Sequence, residues 1–298
     1  MKSKPVRFLT VLACCAFVLC AVPGLSTTLP DALAGEQSAA TATVGAWTLP
    51  DTAIRPERPV DRDAETSAGT SAAAVFSYSA LPDYAGDPYV VVNDNIPFFT
   101  RADYDEPPAG ASLAPSPGEG KILSFEYYPA LDSLGRCGTV IAAVGEDTMP
   151  TEKRGDISEV KPTGWRQKMY DFVDGQAVYN RCHLIGFQLT AENANRENLI
   201  TGTRYMNTQG MLPFENLVAD YVRETGNHVL YRVTPIFQDD ELVARGVLME
   251  AQSIEDDGEG VQYCVFAYNV QPGVRIDYGT GQNWADDAAP ATYGGRSA

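Results

Sequence analysis

The residues best suited to chemistry lie between Lys161 and Glu215. This stretch contains His183, one of only two histidines in the 298-residue chain, and Arg181 two positions before it. Alternate side chains of an extended segment share a face, so Arg181 and His183 should point one way and Cys182 the other. A neutral histidine beside an arginine suits a reaction in which histidine takes a proton while arginine holds an anion. The histidine count alone excludes a multi-histidine centre.

The same stretch is rich in asparagine. Asparagine side chains compete for local backbone hydrogen bonds, so we assign Asn193 and Asn195 to a turn. The second histidine, His228, opens a predicted strand directly after Gly226-Asn227. We therefore expect His228 to be structural.

Three motifs in this region together resemble a known family. Asn180-Arg181-Cys182-His183 is followed by Glu197-Asn198-Leu199-Ile200-Thr201, and then by Asn207 and Glu215 eight positions apart. This pattern resembles the DNA/RNA non-specific endonucleases, the ββα-metal or His-Me finger nucleases, and is most similar to the secreted bacterial DNases and DNA-entry nucleases. The similarity runs from about Pro88 to Tyr278 and is densest between Gly164 and Gly226.

The resemblance implies a role for each matching residue. His183 would deprotonate water, and Asn207 would hold one divalent cation, Mg²⁺ or Mn²⁺, through its side-chain oxygen. Arg181 matches the phosphate-binding arginine, Asn198 the supporting asparagine at the substrate, and Glu215 the acid that orients water at the metal. No organic cofactor is implied. The expected partner is DNA, with RNA as a second candidate substrate, and the expected products carry a 5′-phosphate and a 3′-hydroxyl.

These roles agree with the chemistry of the side chains. An unperturbed histidine titrates near pH ~6.5, so it can act as a base around neutrality. A hard cation prefers oxygen ligands and keeps several waters, so one asparagine plus substrate phosphate suffices without a carboxylate cage. Arg204 is a further candidate for phosphate contact, with a surface salt bridge as the equal alternative. Pro213 lies where the regular helix should start, which leaves Asn207 on a preceding turn or on the same helix.

Cys182 stands where the family more often has glycine, and Asn180 where it more often has aspartate. We expect the Cys182 side chain to pack as a small apolar group on the face opposite His183. A cysteine hydrolase is disfavoured because adjacent residues on an extended chain cannot form a dyad. A structural zinc site from the cysteines lacks C-x-x-C spacing. A non-catalytic surface-binding protein on a nuclease fold is the main alternative.

The elements that must position these residues are mostly short strands. An antiparallel sheet with a few packed helices, an α+β fold, is expected, and the resemblance makes it a ββα-metal nuclease with a central antiparallel sheet and flanking helices. Apolar residues recur at helical spacing between Pro213 and Gly226. The Gln238-Asp239-Asp240 turn indicates a hairpin. The predicted strands are Tyr89 to Val92, Ile122 to Tyr127, Thr139 to Val144, His228 to Phe237, Glu241 to Ala251 and Gln262 to Val270.

The N-terminal region is expected to lie outside this fold. Residues 1–34 combine a basic start, an apolar run and Ala32-Leu33-Ala34, the pattern of a secretory signal peptide. An uncleaved membrane anchor and, less favoured, a lipid anchor on Cys14 are the alternatives. We expect a linker rich in Ala, Thr, Ser and Pro over 35–75, a nuclease domain over 76–280 and a flexible tail over 281–298. The protein would be secreted or held at the cell surface.

The charge and cysteine content set further limits. A formal charge of −17 argues against coating nucleic acid by bulk charge, so a few placed groups must hold any anionic substrate. The acidity is local, because residues 31–135 contain 16 acidic and 5 basic residues, whereas 151–205 contain 7 acidic and 8 basic. Removal of the signal peptide leaves Cys137, Cys182 and Cys264, enough for at most one internal disulfide.

Overall fold

A computed structural model describes residues 76–114 and 123–286. It confirms the α+β expectation, because these residues form a seven-stranded antiparallel sheet, two smaller hairpins and three α-helices. The strands are β1 Tyr89–Val91, β2 Ser112–Leu113, β3 Phe125–Tyr127, β4 Val140–Val144, β5 Tyr179–His183, β6 Leu199–Thr203, β7 Val229–Ile236, β8 Gly246–Ser253, β9 Gln262–Tyr268, β10 Val274–Ile276 and β11 Asn283–Ala285. The helices are α1 Arg101–Asp105, α2 Phe187–Thr190 and α3 Leu212–Thr225. The large sheet has the order β1-β9-β8-β7-β4-β3-β2, and β10-β11 and β5-β6 form the hairpins.

The large sheet is buried on both faces. In β9, Tyr263 and Val265 pack into the main core with α3, whereas Cys264 and Phe266 pack into an aromatic cluster on the opposite face. Successive side chains of a strand point to opposite faces, so two buried faces require a nearly continuous apolar run. This explains why the strand segments stand out in the sequence by composition.

The predicted helix is confirmed. Phe214, Val218 and Val222 of α3 are buried against the sheet. Gly226 has φ +70° in the left-handed region, and its N–H donates to the carbonyl of Val222 at 2.9 Å. The glycine therefore ends the helix as its position indicated, because this conformation carries no side-chain penalty in glycine.

The predicted strands are present, with shifted ends. The β7–β8 hairpin is confirmed, but β8 begins at Gly246 rather than Glu241. The intervening residues form a loop in which the Arg245 guanidinium pairs with the Glu241 carboxylate, with Nε 2.9 Å from Oε1. The composition of these residues resembles that of a strand, but a local ion pair keeps them in a loop.

The outer boundaries lie partly outside the described residues. The signal peptide predicted over 1–34 and the linker over 35–75 both lie there. At the other end, β11 pairs with β10 and buries Asn283, so ordered structure passes the boundary predicted at residue 280. Within 76–114 and 123–286, no helix is long and apolar enough to cross a membrane.

A compact ββα unit carries the chemically dense stretch. Strands β5 and β6 pair antiparallel, with His183 opposite Leu199 and Arg181 opposite Thr201. The chain then enters a π-helical turn, Met206–Met211, which continues directly into α3. Proline lacks an N–H for the preceding helical turn, and a wider turn is one way to accommodate Pro213 at the second position of α3. Asn207 therefore belongs to the same helical segment as Glu215.

Candidate active site

One cleft of about 540 Å³ brings most of the predicted site residues together. Five of the six predicted residues line it. Arg154, which was not predicted, lines it as well. The charged and polar residues along its wall include Arg154, Arg181, His183, Arg204, Asn207 and Glu215. Strand β5, the π-helical turn and the first turn of α3 thus converge on one concave surface, as the resemblance implied.

The hydrogen bonds of His183 determine its tautomer. The side chain is buried, and Nε2 lies 2.8 Å from the backbone carbonyl oxygen of Asn193. A carbonyl oxygen only accepts, so Nε2 must carry the proton and Nδ1 holds the lone pair of the neutral ring. Burial lowers the pKa of His183 to about 4, and the charge of Arg154 acts in the same direction. The ring is therefore neutral, and basic at Nδ1, at neutral pH.

Arg154 is the main functional candidate that sequence reasoning missed. Its Nη2 lies 3.4 Å from Nδ1 of His183, and its charge opposes the rise that burial causes in the pKa of Glu215. The loop around it is held to the turn at Asn193, whose Oδ1 accepts from the N–H of Gly155 at 3.2 Å. An arginine 29 positions from the histidine in a charged loop offers no spacing signal. The excess of basic residues over 151–205 was the only indication.

Arg181 lines the cleft and also anchors this loop. Its Nε donates to the carbonyl of Val160 at 2.5 Å, and Nη2 donates to that of Ser158 at 2.6 Å. The guanidinium lies over the ring of Trp165, 4.4 Å from its centroid. Arg181 and His183 reach the cleft from the same strand face, as predicted.

Arg204 forms the surface salt bridge that was one of its two alternatives, and it also lines the cleft. Its Nη2 lies 2.9 Å from Oδ2 of Asp174, a solvent-exposed carboxylate, and the side chain also lines the cleft. An exposed pair of this kind adds little to stability. The guanidinium thus stays within the cleft, with a weak partner that a phosphate could replace.

Glu215 reaches the cleft floor from the first turn of α3. Its carboxylate is buried, and burial raises the pKa of Glu215 to about 8 despite the opposing charge of Arg154. A Cβ at Gly186 would lie 2.7 Å from Oε2, so a side chain at this position would force the carboxylate to move. Among the described residues, no side chain or backbone N–H donates a hydrogen bond to it.

The position of Asn198 differs from the predicted contact with substrate. The residue is fully buried and does not line the cleft. Its Oδ1 accepts from the N–H of Ile185 at 2.9 Å, and its Nδ2 donates to the carbonyl of Ile185 at 2.9 Å. Both ends of the amide are therefore used by one residue, Ile185, just beyond β5. Asn198 supports the strand that carries His183 and is not part of the cleft wall.

Cys182 faces away from His183 and is fully buried, as expected. It is not a purely apolar group, however, because Sγ lies 3.0 Å from Oδ1 of Asn207. Burial, reinforced by the nearby Glu215, raises the pKa of the Cys182 thiol well above its usual range. A buried thiol that stays protonated is no nucleophile, which removes the physical basis for a cysteine hydrolase.

The remaining histidine and cysteines are structural. Nδ1 of His228 lies 2.6 Å from Oε1 of Glu255, at the start of β7. Cys137, Cys182 and Cys264 are free and buried in the described structure, so the disulfide that their number allowed is not formed. Over 76–114 and 123–286, no cluster of three or more histidine, cysteine, aspartate or glutamate side chains could hold a metal ion, which argues against the zinc alternative.

Asn193 and Asn195 occupy the turn predicted for them. The Asn195 side chain accepts from the N–H of Glu197 at 2.9 Å and begins a short 3₁₀ turn. Asn193 contributes more than a turn, because its carbonyl holds His183 and its side chain holds Gly155. Every residue has a backbone carbonyl, so the residue type at position 193 does not indicate that its carbonyl holds His183.

Comparison with known proteins agrees with this geometry. The family model for DNA/RNA non-specific endonucleases matches residues 119–255. The crystal structure of NucA from Streptococcus agalactiae with magnesium ion bound has a TM-score of 0.55 at 22 % identity, covering 70 % of this chain and 91 % of that chain. The Sda1 nuclease with bound zinc ion has a TM-score of 0.52 at 22 % identity, covering 67 % and 97 %. At this identity the two structures establish the fold.

A comparison with curated protein sequences gave no significant match. The family match spans β3 to β8 and α3, including the ββα unit, and both solved structures are nucleases. Residues 119–255, slightly less than half of the chain, therefore match the DNA/RNA non-specific endonuclease family, and the match supports a hydrolase that acts on nucleic acids.

Proposed function

We propose that this protein is a secreted, divalent-cation-dependent endonuclease that hydrolyses phosphodiester bonds of DNA with little sequence preference, and RNA as a second substrate. The observation that carries the proposal is the orientation of His183. Its Nε2–H is held by the carbonyl of Asn193, so the basic Nδ1 faces the guanidinium of Arg154 in the cleft. A neutral base beside a cation is suited to deprotonating water next to a bound phosphate.

Three arginines are available to bind the substrate backbone. Arg154, Arg181 and Arg204 line the cleft, and a guanidinium binds phosphate oxygens through short charge-assisted hydrogen bonds. Contacts to phosphate carry no sequence information, so binding through these residues gives little sequence preference. The overall charge of −17 makes these local groups important, because the chain as a whole does not attract nucleic acid by bulk charge.

The proton transfer follows from the tautomer of His183. With a phosphate held beside Arg154, Nδ1 of His183 takes a proton from a water whose oxygen attacks phosphorus. The bond between phosphorus and the 3′ oxygen breaks, and the departing oxygen takes a proton from solvent. The products carry a 5′-phosphate and a 3′-hydroxyl. Arg154 stabilises the negative charge that develops on the phosphoryl oxygens.

Asn207 and Glu215 fit a hard divalent cation such as Mg²⁺ or Mn²⁺. Both line the cleft and carry side-chain oxygen atoms, and oxygen is the ligand that these ions prefer. The buried carboxylate of Glu215 has no hydrogen-bond donor among the described residues, and a buried charge is costly unless a cation neutralises it. Asn207 would hold the ion through Oδ1, and Glu215 would orient water beside it. When bound, the cation neutralises charge on the reacting phosphate and stabilises the leaving oxygen.

The direct test is cleavage of supercoiled DNA and of RNA by purified protein from residue 36 onward. We expect nicking with Mg²⁺ or Mn²⁺, loss of nicking with EDTA, and loss of nicking in a folded His183→Ala variant. Cleavage that is indifferent to both EDTA and His183 would contradict the mechanism. Binding of DNA without any cleavage, with either ion, would support the surface-binding alternative instead.

Secretion is proposed from the N-terminal pattern alone. A basic start, an apolar run and Ala32-Leu33-Ala34 precede the nuclease domain. We expect the exported protein to begin just after Ala34. N-terminal sequencing of protein recovered from the culture medium tests this. A protein that retains residues 1–34 and fractionates with membranes would instead indicate an anchor.

A further inference from the structure

Cys182 and Asn207 meet on the side of β5 that faces the π-helical turn. The Cys182 Sγ lies 3.0 Å from Oδ1 of Asn207, 3.4 Å from Sδ of Met211 and 3.8 Å from the carbonyl oxygen of His183. A thioether sulfur is a weak acceptor, and the His183 carbonyl is the most distant of the three atoms. The amide oxygen of Asn207 is therefore the preferred acceptor for the thiol hydrogen.

The chain makes room for this side chain on the neighbouring strand. A Cβ at Gly202 on β6 would lie 2.6 Å from Cβ of Cys182 and 3.1 Å from its Sγ. A larger residue at position 202 would displace the Cys182 side chain from its observed position. Cys182 and Gly202 thus form a matched pair that places a sulfur atom against Asn207.

The thiol is also the one hydrogen-bond partner of the Asn207 side chain among the described residues. The thiol hydrogen favours the oxygen end of the amide, because the sulfur is only a weak acceptor for an amide N–H. The contact therefore favours one of the two orientations of the Asn207 amide. A carbonyl oxygen has two lone pairs, so Oδ1 can accept from the thiol and still bind a cation from the cleft side.

We propose that Cys182 is a positioning residue, whose thiol hydrogen bond orients the Oδ1 of Asn207 for binding the divalent cation. The inference rests on the proposed role of Asn207 as the cation ligand. In this chain a cysteine thus occupies a motif position where glycine is more common, and it supports a neighbouring ligand without contacting substrate or cation.

The test compares two nearly isosteric replacements in the full chain. Cys182→Ser keeps a hydrogen-bond donor, whereas Cys182→Ala removes it and keeps Cβ. Affinity for Mn²⁺, measured by calorimetry with a non-cleavable oligonucleotide present, should fall about three- to tenfold in Cys182→Ala, the range for one lost hydrogen bond. It should stay within about twofold of the parent in Cys182→Ser. A purely structural role would lower the melting temperature without this difference in Mn²⁺ affinity.

Cys264→Ala is the matched control, because Cys264 is equally buried but packs in the aromatic cluster on the other face of the sheet. It should leave Mn²⁺ affinity unchanged. Equal affinity in the parent and Cys182→Ala, or equal losses in the Ser and Ala variants, would overturn the proposal.

Raman spectroscopy gives a second measurement that needs no bound metal. A hydrogen-bonded S–H group stretches at lower frequency than a free one, and difference spectra against Cys182→Ser identify the band of Cys182. That band should shift upward in Asn207→Ala. An unchanged band would show that the thiol does not donate to Asn207.

The outcomes separate this inference from the proposed function. If Asn207→Ala abolishes Mn²⁺ binding while both Cys182 variants keep parental affinity, only the role of Cys182 fails. If Asn207→Ala keeps parental affinity, or the parent binds no Mn²⁺, the assignment of the ligand fails and the role of Cys182 fails with it.

Discussion

The carbonyl oxygen of Asn193 lies 2.8 Å from Nε2 of His183, and this one contact sets which ring nitrogen is basic. Nε2 carries the proton, so the lone pair of Nδ1 points towards Arg154 and the cleft. The turn that holds Asn193 also holds Gly155 through its side chain, and so the histidine and the arginine loop share one support. The proposed base and the proposed phosphate-binding arginine are therefore positioned together.

The first prediction concerns the titration of His183 in metal-free protein. Burial lowers its pKa to about 4, so the ring should stay neutral through mildly acidic pH and become protonated only as pH falls through about 4. NMR of the ring protons measures this, and a His228→Gln variant leaves a single histidine to follow. A midpoint at the ordinary value for histidine would show that burial does not act on the ring as described.

His183 should also control the rate. Loss of a general base usually lowers a rate by about 10²-fold or more, and His183→Ala should fall in that range with its melting temperature nearly unchanged. In His183→Gly, added imidazole should restore part of the rate, because the side chain only transfers a proton. Parental cleavage by a folded His183→Ala variant would refute the assignment of the base.

Arg154→Ala should slow cleavage by about tenfold or more, the usual worth of a hydrogen bond to a charged group. Its guanidinium lies 3.4 Å from His183, whereas Arg223 on α3 is exposed and, within the described part of the chain, pairs only with Asp220. Arg223→Ala is therefore the matched control and should cleave at the parental rate. Equal rates for the two variants would place Arg154 outside the reacting site.

Asn198→Ala should lower the free energy of unfolding by about 2 kcal/mol or more, because it leaves a buried N–H and a buried carbonyl of Ile185 without partners. Activity should fall with stability. Asn216→Ala removes an exposed amide on α3 and should change stability little. Denaturant unfolding tests both variants. A fully stable Asn198→Ala variant that binds substrate more weakly would show that Asn198 contacts substrate after all.

Glu126 on β3 should make stability depend on pH. Burial raises its pKa to about 7, although the Tyr128 hydroxyl donates to it and opposes the shift. Between the ordinary carboxyl value and about pH 7, the folded state keeps a proton that the unfolded state releases, so this group makes stability fall as pH rises. Glu126→Gln should therefore stabilise the protein above about pH 7 and give no benefit below about pH 4.

Thermal unfolding across this range measures the effect. Glu224→Gln, an exposed change on α3, serves as the control. A stabilisation by Glu126→Gln that is the same at both ends of the pH range would show that the carboxyl is not protonated in the folded state.

Local features of the fold followed from the sequence because neighbouring residues determine them. The apolar spacing of α3, the left-handed end at Gly226 and the shared face of Arg181 and His183 each depend on residues a few positions apart. The cleft residues His183, Asn207 and Glu215 were identified by the resemblance of their motifs to a known family, and the structure places all three along one cleft. The strand ends were less accurate, because the Glu241–Arg245 ion pair keeps a strand-like segment in a loop.

Only the tertiary structure decided what each site residue touches. Arg154 reaches His183 from a separate loop, and the carbonyl that orients the ring belongs to a residue whose type is irrelevant to that contact. Asn198 belongs to one of the motifs, but both ends of its side-chain amide are hydrogen-bonded to Ile185. Cys182 alternates away from His183 as the strand requires, yet meets Asn207 because the π-helical turn packs on that face. Residue type and local spacing determine which chemistry is available, whereas long-range packing determines which atoms meet.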